Sequence, residues 1–260
     1  MLASLVQLVL AADIAPSVAD FRPFTPTHYI TAGLYAFAMF VLVVAGLNVR
    51  GSPRQRRLER AWFWFVLAVQ TFNVIFWSTP PRLELASSLP LHICDLAGIF
   101  AVFATLSWTR QHSLAEQTSG FTRTLATIMF FWGLGLSTQA FFTPVISQGP
   151  DTVRFHIFFL SHFTIVATPL YDFIVRGYRP AWRDFGVIVL VTAIFGAVMI
   201  PLNTATGWNY GYVGNSTPDN PTIIDKLGPY PRRLLWLAAI ITTVYVVLTL
   251  IAKFIPRRAT

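Results

Sequence analysis

The sequence predicts an all-α, multi-pass membrane protein with seven transmembrane helices, its N-terminus outside and its C-terminus inside. Of the 260 residues, 55% are hydrophobic and only 12% are charged, whereas charged residues make up about 25% of an average soluble domain. The apolar residues fall into separate runs of about 20 residues, the length that crosses the hydrocarbon core of a bilayer. We therefore expect a single transmembrane domain over residues 1–260.

Seven apolar runs are predicted to be the spans. They cover approximately residues 28–49, 61–78, 89–108, 121–142, 155–175, 185–206 and 234–255. Runs rich in Val, Ile and Phe are still predicted to be helices, because backbone polar groups cannot stay unpaired in hydrocarbon. Residues 1–20 form a short apolar segment with no positive charge at its start. That segment is compatible with a cleaved signal peptide or with a surface helix ending at Pro16.

The basic residues predict the orientation. The net charge is +8, and arginines between spans indicate membrane orientation and contact with anionic lipid head groups, not nucleic-acid binding. With the linker 50–60 placed inside, thirteen of the 19 Lys and Arg residues lie on the inner side. The remaining six lie outside: Arg22, Arg82, Arg154, Lys226, Arg232 and Arg233. This bias supports an odd number of spans, with the N-terminus outside and the C-terminus inside. We expect a multi-pass protein of the cell membrane.

The longest connection, residues 207–231, is predicted to be an ordered external lid. Its sequence, GWNYGYVGNSTPDNPTIIDKLGPYP, is rich in Gly, Pro, Asn and aromatic residues, which form turns and pack against other surfaces. A plain solvated loop is the alternative.

Polar side chains cluster at the predicted outer ends of the spans. They are Asn73, His92, Cys94, Asp95, Gln139, His156, His162 and Asn203. Because polar groups within spans are costly, they tend to face a cavity and to mark function. We therefore predict a polar outer-leaflet pocket beneath the lid, with Asn209 and Tyr210 closing it. In this pocket Asn73, Gln139, His156 and Asn203 would contact substrate.

Cys94 and His162 are the predicted catalytic pair. Cys94 is the single cysteine, so no disulfide within the chain is expected. It would lie near the start of span three, with Pro90 in the first helical turn. The helix dipole favours a thiolate there, whereas an apolar surround disfavours it. His162 would lie at a similar depth in span five, and His92 and Asp95 share a face and can pair. The alternatives are a small packing residue and structural histidines.

A metal site built from His92, Asp95, His156 and His162 is a further alternative. No HExxH-type spacing is present, so no metal and no soluble cofactor are predicted. Asn73, Gln139 and Asn203 are alternatively interhelical hydrogen-bonding residues.

Several motifs in order resemble a known family. They are FTPTHY, LPLHICDLA, FFWGLGLSTQAFFTP, RFHIFFLSHF, GWNYGYV and LGPYP. The chain resembles the YwaF-type bacterial membrane proteins, which are related to animal transmembrane protein 164. The resemblance implies seven helices and, as in the animal member, fatty acyl transfer between phospholipids through a cysteine acyl-enzyme with a histidine partner. By motif these residues fall on Cys94 and His162. More distant relatives are intramembrane threonine hydrolases.

Together these patterns predict a lipid acyltransferase or lipid ester hydrolase acting on a membrane phospholipid or other acyl lipid. In this scheme Cys94 is the nucleophile, His162 the base, and His92 with Asp95 the orienting or oxyanion-stabilising pair. The alternatives are a non-catalytic binder or transporter of a small polar or lipid ligand, and a structural membrane subunit. The sequence does not specify the acyl acceptor or the oligomeric state.

The orientation can be tested with topology reporters. Reporters fused after Arg57 and after Thr260 should read as cytoplasmic, and one inserted near Asn215 should read as external, because of the basic bias. A cytoplasmic signal from the Asn215 reporter would contradict an outer-leaflet pocket.

Overall fold

The computed structural model describes residues 20–110, 120–216 and 223–255, and seven long helices dominate these ranges. They are α1 (Pro26–Asn48), α2 (Pro53–Ser78), α3 (Ile93–Arg110), α4 (Gly120–Ile128), α5 (Val153–Tyr171), α6 (Trp182–Thr206) and α7 (Arg233–Phe254). Each helix or its continuation is long and apolar enough to span a membrane, which confirms the predicted fold class. Most of the N-terminal apolar segment lies outside the described residues.

Two spans change helix type along their length. After α4 the chain continues as a π-helix over Met129–Leu136 and a 3₁₀-helix over Ser137–Phe141, so this span runs to Phe141. After α5 a π-turn covers Asp172–Arg176. A π-bulge widens the helix and commonly lies at a functional site. In the fourth span the last two residues of the π-helix, Gly135 and Leu136, themselves line the cavity described below.

The boundaries of two helices differ from the prediction. α2 begins at Pro53, well before the expected residue 61, because Pro is well suited to the first helical turn and the arginine-rich linker continues the helix. α3 begins at Ile93, later than expected. Pro90 therefore lies ahead of α3, and its predicted place in the first turn is wrong.

The helices alternate in direction, so α1, α3, α5 and α7 begin at the end of the bundle where α2, the fourth span and α6 finish. We call this the lid end, because residues 207–231, the lid, connect α6 to α7 there. A hydrogen bond from His28 in α1 to the Phe141 carbonyl oxygen, 2.9 Å, links the first and fourth spans at this end.

The fifth span is the central helix of the bundle. In its most apolar window 78% of the residues are buried, against 11% in α1, 17% in α6 and 11% in α7. The exposed residues of these three outer helices are mostly large and apolar, such as Phe37, Leu190 and Leu235. In water such a surface would be unstable. In a bilayer it is the surface that lipid tails cover.

Ion pairs join the helices at the end opposite the lid. The Arg176 guanidinium donates to Glu59 of α2 at 2.9 Å and lies 3.3 Å from Asp172. Arg123 of α4 donates to Asp184 of α6 at 2.8 Å. Buried charges are tolerated only when paired. Asp172 is therefore a partner of Arg176 in a structural cluster, away from the predicted pocket.

The Gln70 side chain joins three helices in the core. Its amide nitrogen donates to the Thr164 hydroxyl at 2.8 Å and to the Ser161 carbonyl at 3.2 Å, both on α5. The same side chain lies directly against Gly98 of α3, and a Cβ at Gly98 would overlap the Gln70 side-chain oxygen. Gln70 therefore fixes α2, α3 and α5 relative to one another, one turn from Cys94 and beside His162.

Gly98→Val should destabilise the protein by about 1–3 kcal/mol, the usual cost of overpacking a core, because the new methyl groups displace Gln70 from α5. Thermal unfolding in detergent micelles measures the change. Gly33→Val is the matched control, since a Cβ at Gly33 meets nothing within 4 Å. Equal midpoints for the two variants would show that Gln70 does not hold the three helices.

Candidate active site

A cavity of about 780 Å³ opens within the bundle towards the lid end. We call it the Cys94 cavity. Its walls come from the start of α3, the fourth span, α5, α6, α7 and the lid. Its volume is within the range of about 300–1,000 Å³ that is typical of small-ligand sites. Most of the lining is apolar. Its polar side chains come from several elements and are His92, Cys94, Ser137, Gln139, Thr143, His162, Thr192, Tyr212, Thr242 and Tyr245.

Cys94 lies in the first turn of α3 and lines this cavity. The thiol residue is partly exposed, and Cys94 has no disulfide partner among the described residues. α3 packs directly against α5, which carries His162. The peptide N–H groups of a first helical turn have no partners within the helix, so they favour negative charge. The apolar cavity opposes a negative charge at the same position, so the thiol would need a base to react. The sulfur lies where a ligand can reach it.

His162 lines the same cavity from α5. Its Nδ1 lies 2.7 Å from the Phe158 carbonyl oxygen. A carbonyl oxygen only accepts, so Nδ1 carries a proton, and in the neutral imidazole Nε2 is left with its lone pair. Within the described part of the chain Nε2 makes no hydrogen bond. The arrangement leaves His162 able to accept a proton from inside the cavity.

His92 also lines the cavity, in the opposite tautomer. Its Nδ1 accepts from the Gly211 backbone N–H at 3.3 Å, so in the neutral ring Nε2 carries the proton. His92 precedes α3, and burial lowers the pKa of its imidazole to about 4. The ring is therefore neutral at pH 7, with Nε2–H as a free donor among the described contacts.

Asp95 holds the segment before α3 and does not bond to the His92 ring. Its Oδ2 accepts from the backbone N–H of His92 at 3.3 Å. The side-chain pairing expected between His92 and Asp95 is absent among the described contacts, and the two residues are joined through the His92 backbone instead. This hydrogen bond closes the first turn of α3 in the manner of a capping box, which fixes His92 and Cys94 relative to each other.

Tyr212 is a cavity residue that the sequence reasoning missed. Its φ is +59°, a left-handed conformation that is strained for a bulky residue and that concentrates at functional sites. The ring centroid lies 5.1 Å from that of His92. Burial raises the pKa of the Tyr212 phenol, so it remains a donor. Its hydroxyl bonds to none of the described residues. In the sequence, only the glycine- and tyrosine-rich motif GWNYGYV pointed to Tyr212 as a site residue.

Gln139 is the remaining predicted residue that lines the cavity. Its amide donates to the Thr143 hydroxyl at 2.9 Å. Three other predicted contacts lie elsewhere. Asn73 is buried on α2 outside the cavity lining, and His156 is exposed, with Nε2 2.8 Å from the Pro150 carbonyl oxygen. Asn203 is buried beneath the lid, outside the lining.

Asn203 and Tyr210 anchor the lid. The Asn203 amide donates to the Tyr210 carbonyl oxygen at 2.8 Å and accepts from the Tyr210 N–H at 2.9 Å. The Tyr210 hydroxyl donates to the Leu85 carbonyl oxygen at 2.7 Å and accepts from the Leu89 N–H at 3.0 Å. Asn209 accepts from the Gly214 N–H at 3.0 Å within the lid. These residues hold the roof in place and do not line the cavity.

Arg233 ties the second half of the lid to α7. It donates to Asp225, to the Ser216 hydroxyl and to the Gly214 carbonyl oxygen. The short turn Ile223–Leu227 is thereby held over the cavity, and three of its apolar residues, Ile223, Ile224 and Leu227, line it. The described part of the lid therefore presents polar anchors to the protein and apolar side chains to the cavity. Residues 217–222 of the predicted lid lie outside the described ranges.

No group of three or more His, Cys, Asp or Glu side chains within residues 20–110, 120–216 and 223–255 could hold a metal ion. The titratable groups that line the cavity are a thiol, two imidazoles and two phenols.

Comparison with known proteins identifies a family. The model of the TMEM164 family matches residues 23–249. This range includes every residue of the candidate site. Neither the curated proteins nor the solved structures give a significant match.

Asn203→Leu should loosen the lid, because it removes both hydrogen bonds to Tyr210 and leaves buried backbone groups unpaired, at about 1–3 kcal/mol each. Alkylation of Cys94 by a water-soluble maleimide should become roughly tenfold faster. Thr243→Val on α7 is the control, since the exposed Thr243 hydroxyl bonds only to the Ala239 carbonyl oxygen of its own helix. An unchanged alkylation rate in Asn203→Leu would show that these bonds do not hold the lid.

Proposed function

The chain belongs to the TMEM164 family, and from this premise we propose that it is a cysteine-dependent lipid acyltransferase or lipid ester hydrolase. The observation that carries the proposal is that Cys94 and His162 line one cavity while the hydrogen bond to Phe158 leaves His162 Nε2 free. A nucleophile with a base oriented by a third group is the general arrangement of covalent catalysis. Here the third group is a backbone carbonyl oxygen.

In the first step His162 Nε2 takes the proton of the Cys94 thiol. The thiolate attacks the carbonyl carbon of an acyl ester, so a C–S bond forms and the ester C–O bond breaks. The proton on Nε2 passes to the leaving alkoxide, which departs as a lysolipid or another alcohol. The product on the protein is a thioester at Cys94.

Negative charge develops on the carbonyl oxygen during this attack. His92 Nε2–H and the Tyr212 hydroxyl are donors on the same cavity, and neither makes a hydrogen bond to the described residues. Preorganised donors of this kind stabilise an oxyanion, and removing one typically costs about 10²–10³ in rate. Asp95 positions His92 by accepting a hydrogen bond from its backbone N–H. His92 and Tyr212 are thus the proposed oxyanion donors.

In the second step His162 Nε2 takes a proton from the acceptor hydroxyl, whose oxygen attacks the thioester carbonyl carbon. A C–O bond forms, the C–S bond breaks, and the proton passes from Nε2 to the departing Cys94 sulfur. A lysolipid acceptor gives acyl transfer and water gives hydrolysis. The lid end is proposed to face the outside of the cell membrane, as the basic bias predicts. The site would then act on lipids of the outer leaflet. A non-catalytic binder with the same apolar cavity is the alternative function.

Cys94→Ala should abolish thioester labelling by a long-chain acyl probe in purified, reconstituted protein while leaving the protein folded. His162→Ala should slow labelling by about 10²–10⁴, because it removes only the proton transfer. Mass spectrometry of the labelled peptide and single-turnover kinetics measure both effects.

His156→Ala is the matched control, since His156 lies on the same helix but outside the cavity lining. It should label at the wild-type rate. Full acyl-transfer activity in Cys94→Ala would exclude covalent cysteine catalysis. Binding of lipid without any turnover in the wild-type protein would favour the non-catalytic alternative.

A further inference from the structure

The Cys94 cavity reaches the protein surface between α6 and α7. Several residues of these two helices both line the cavity and are solvent-exposed. They are Val189, Ala193, Ala197, Ala238, Ile240 and Thr242. Val189 is 38% exposed and Ile240 is 46% exposed. The opening, which we call the side mouth, therefore lies within membrane-spanning segments and not only beneath the lid.

Two hydrogen bonds and a glycine border the side mouth. Thr192 of α6 is 2.9 Å from the Tyr245 hydroxyl of α7, and Trp132 donates to Thr192 at 2.9 Å. This bonded chain sets the spacing of the two helices at the cavity wall. Gly196 lies one turn nearer the lid and lines the cavity, and a Cβ built there meets nothing within 4 Å. The space beside Gly196 is therefore open.

The surroundings of the side mouth limit what can enter it. The exposed faces of α6 and α7 are apolar along their length, with Leu190, Ile194 and Val198 all more than half exposed. Such faces are covered by lipid tails in a bilayer, so a tail is the group that lies next to the opening. The cavity wall behind it is also mainly apolar. Its polar side chains include the hydroxyls of Thr192, Thr242 and Tyr245 on α6 and α7, and Cys94, His92 and Tyr212 from the segment that begins α3 and from the lid.

We propose that the side mouth admits one ester-linked acyl chain of a bilayer phospholipid, which enters sideways between α6 and α7 while its ester reaches Cys94. This inference rests on the proposed function and names how its substrate arrives. The chain would pass Gly196, and its far end would remain in the bilayer. The polar head would lie towards the lid. Gly196 is then the residue that sets the width available to the chain.

The test uses binding and not turnover. Cys94→Ala protein, which cannot form a thioester, is placed in phosphatidylcholine vesicles that contain a phosphatidylcholine with a photoactivatable group in one acyl chain. After illumination, cross-linked peptides are mapped by mass spectrometry. Cross-links should fall on side-mouth residues of α6 and α7 and on the lid turn Ile223–Leu227. The double variant Cys94→Ala, Gly196→Leu should give about tenfold fewer of these cross-links. Tenfold is the lower end of the discrimination that an apolar pocket achieves by steric exclusion.

Gly186→Leu is the matched control. It lies on α6, is exposed, has nothing within 4 Å of its Cβ position and does not line the cavity. It should keep the cross-links. Ala238→Leu narrows the side mouth from α7 and should reduce the cross-links as Gly196→Leu does. A second variant is used in case one of them misfolds. Thermal unfolding verifies that each variant is folded.

Cross-links confined to the outward faces of the helices, or equal cross-linking in Gly196→Leu and Gly186→Leu, would overturn the side mouth. Labelling by a photoactivatable free fatty acid but not by the phospholipid would overturn the assignment to phospholipid. The outcome is separable from the proposed function, because loss of thioester formation in Cys94→Ala tests catalysis whereas cross-linking in the same variant tests entry.

Discussion

The bond network of Gln70 is the constraint on which the geometry of the candidate site depends. Its amide, on α2, donates hydrogen bonds to the Thr164 hydroxyl and the Ser161 carbonyl of α5. The same side chain packs against Gly98 of α3, which has no Cβ to displace it. Without water in the bilayer core, such interhelical hydrogen bonds and close van der Waals packing hold helices together. Because Cys94 lies one turn before Gly98 and His162 follows Ser161, the same contact sets the relative depth of the two proposed catalytic residues.

The two cavity histidines differ because their backbone partners differ. The Phe158 carbonyl oxygen accepts a hydrogen bond from His162, and the Gly211 N–H donates one to His92. In each neutral ring the other nitrogen, Nε2, consequently has a different character, with a lone pair at His162 and a donor hydrogen at His92. Neither role needs a charged side chain in the membrane. A base and a donor can therefore coexist in an apolar cavity at low electrostatic cost.

The bundle divides into a tightly packed and a loosely packed part. α5 is buried on most of its surface, and the fourth span approaches it so closely that a Cβ at Gly133 would lie 2.8 Å from the Ile165 carbonyl oxygen. α6 and α7 instead expose most of their residues and leave the cavity between them. The reactive groups belong to the tight part. The loose part forms the side through which a lipid would enter, so the positions of Cys94 and His162 do not depend on that opening.

The sequence by itself determined the fold class, because hydrophobic runs of membrane-spanning length leave the chain no alternative to helices in hydrocarbon. It also selected Cys94, His162, His92 and Gln139, since polar groups near the ends of apolar runs are costly unless used. Tertiary structure alone decided which polar residues share the cavity. Asn203 and Tyr210 proved to be lid anchors and His156 a surface residue, because spacing gives depth along a helix but not the direction in which neighbouring helices lie. The role proposed for Tyr212 depends on the backbone of the lid, and the role proposed for Gly196 depends on the gap between α6 and α7. Both features form only when the helices pack.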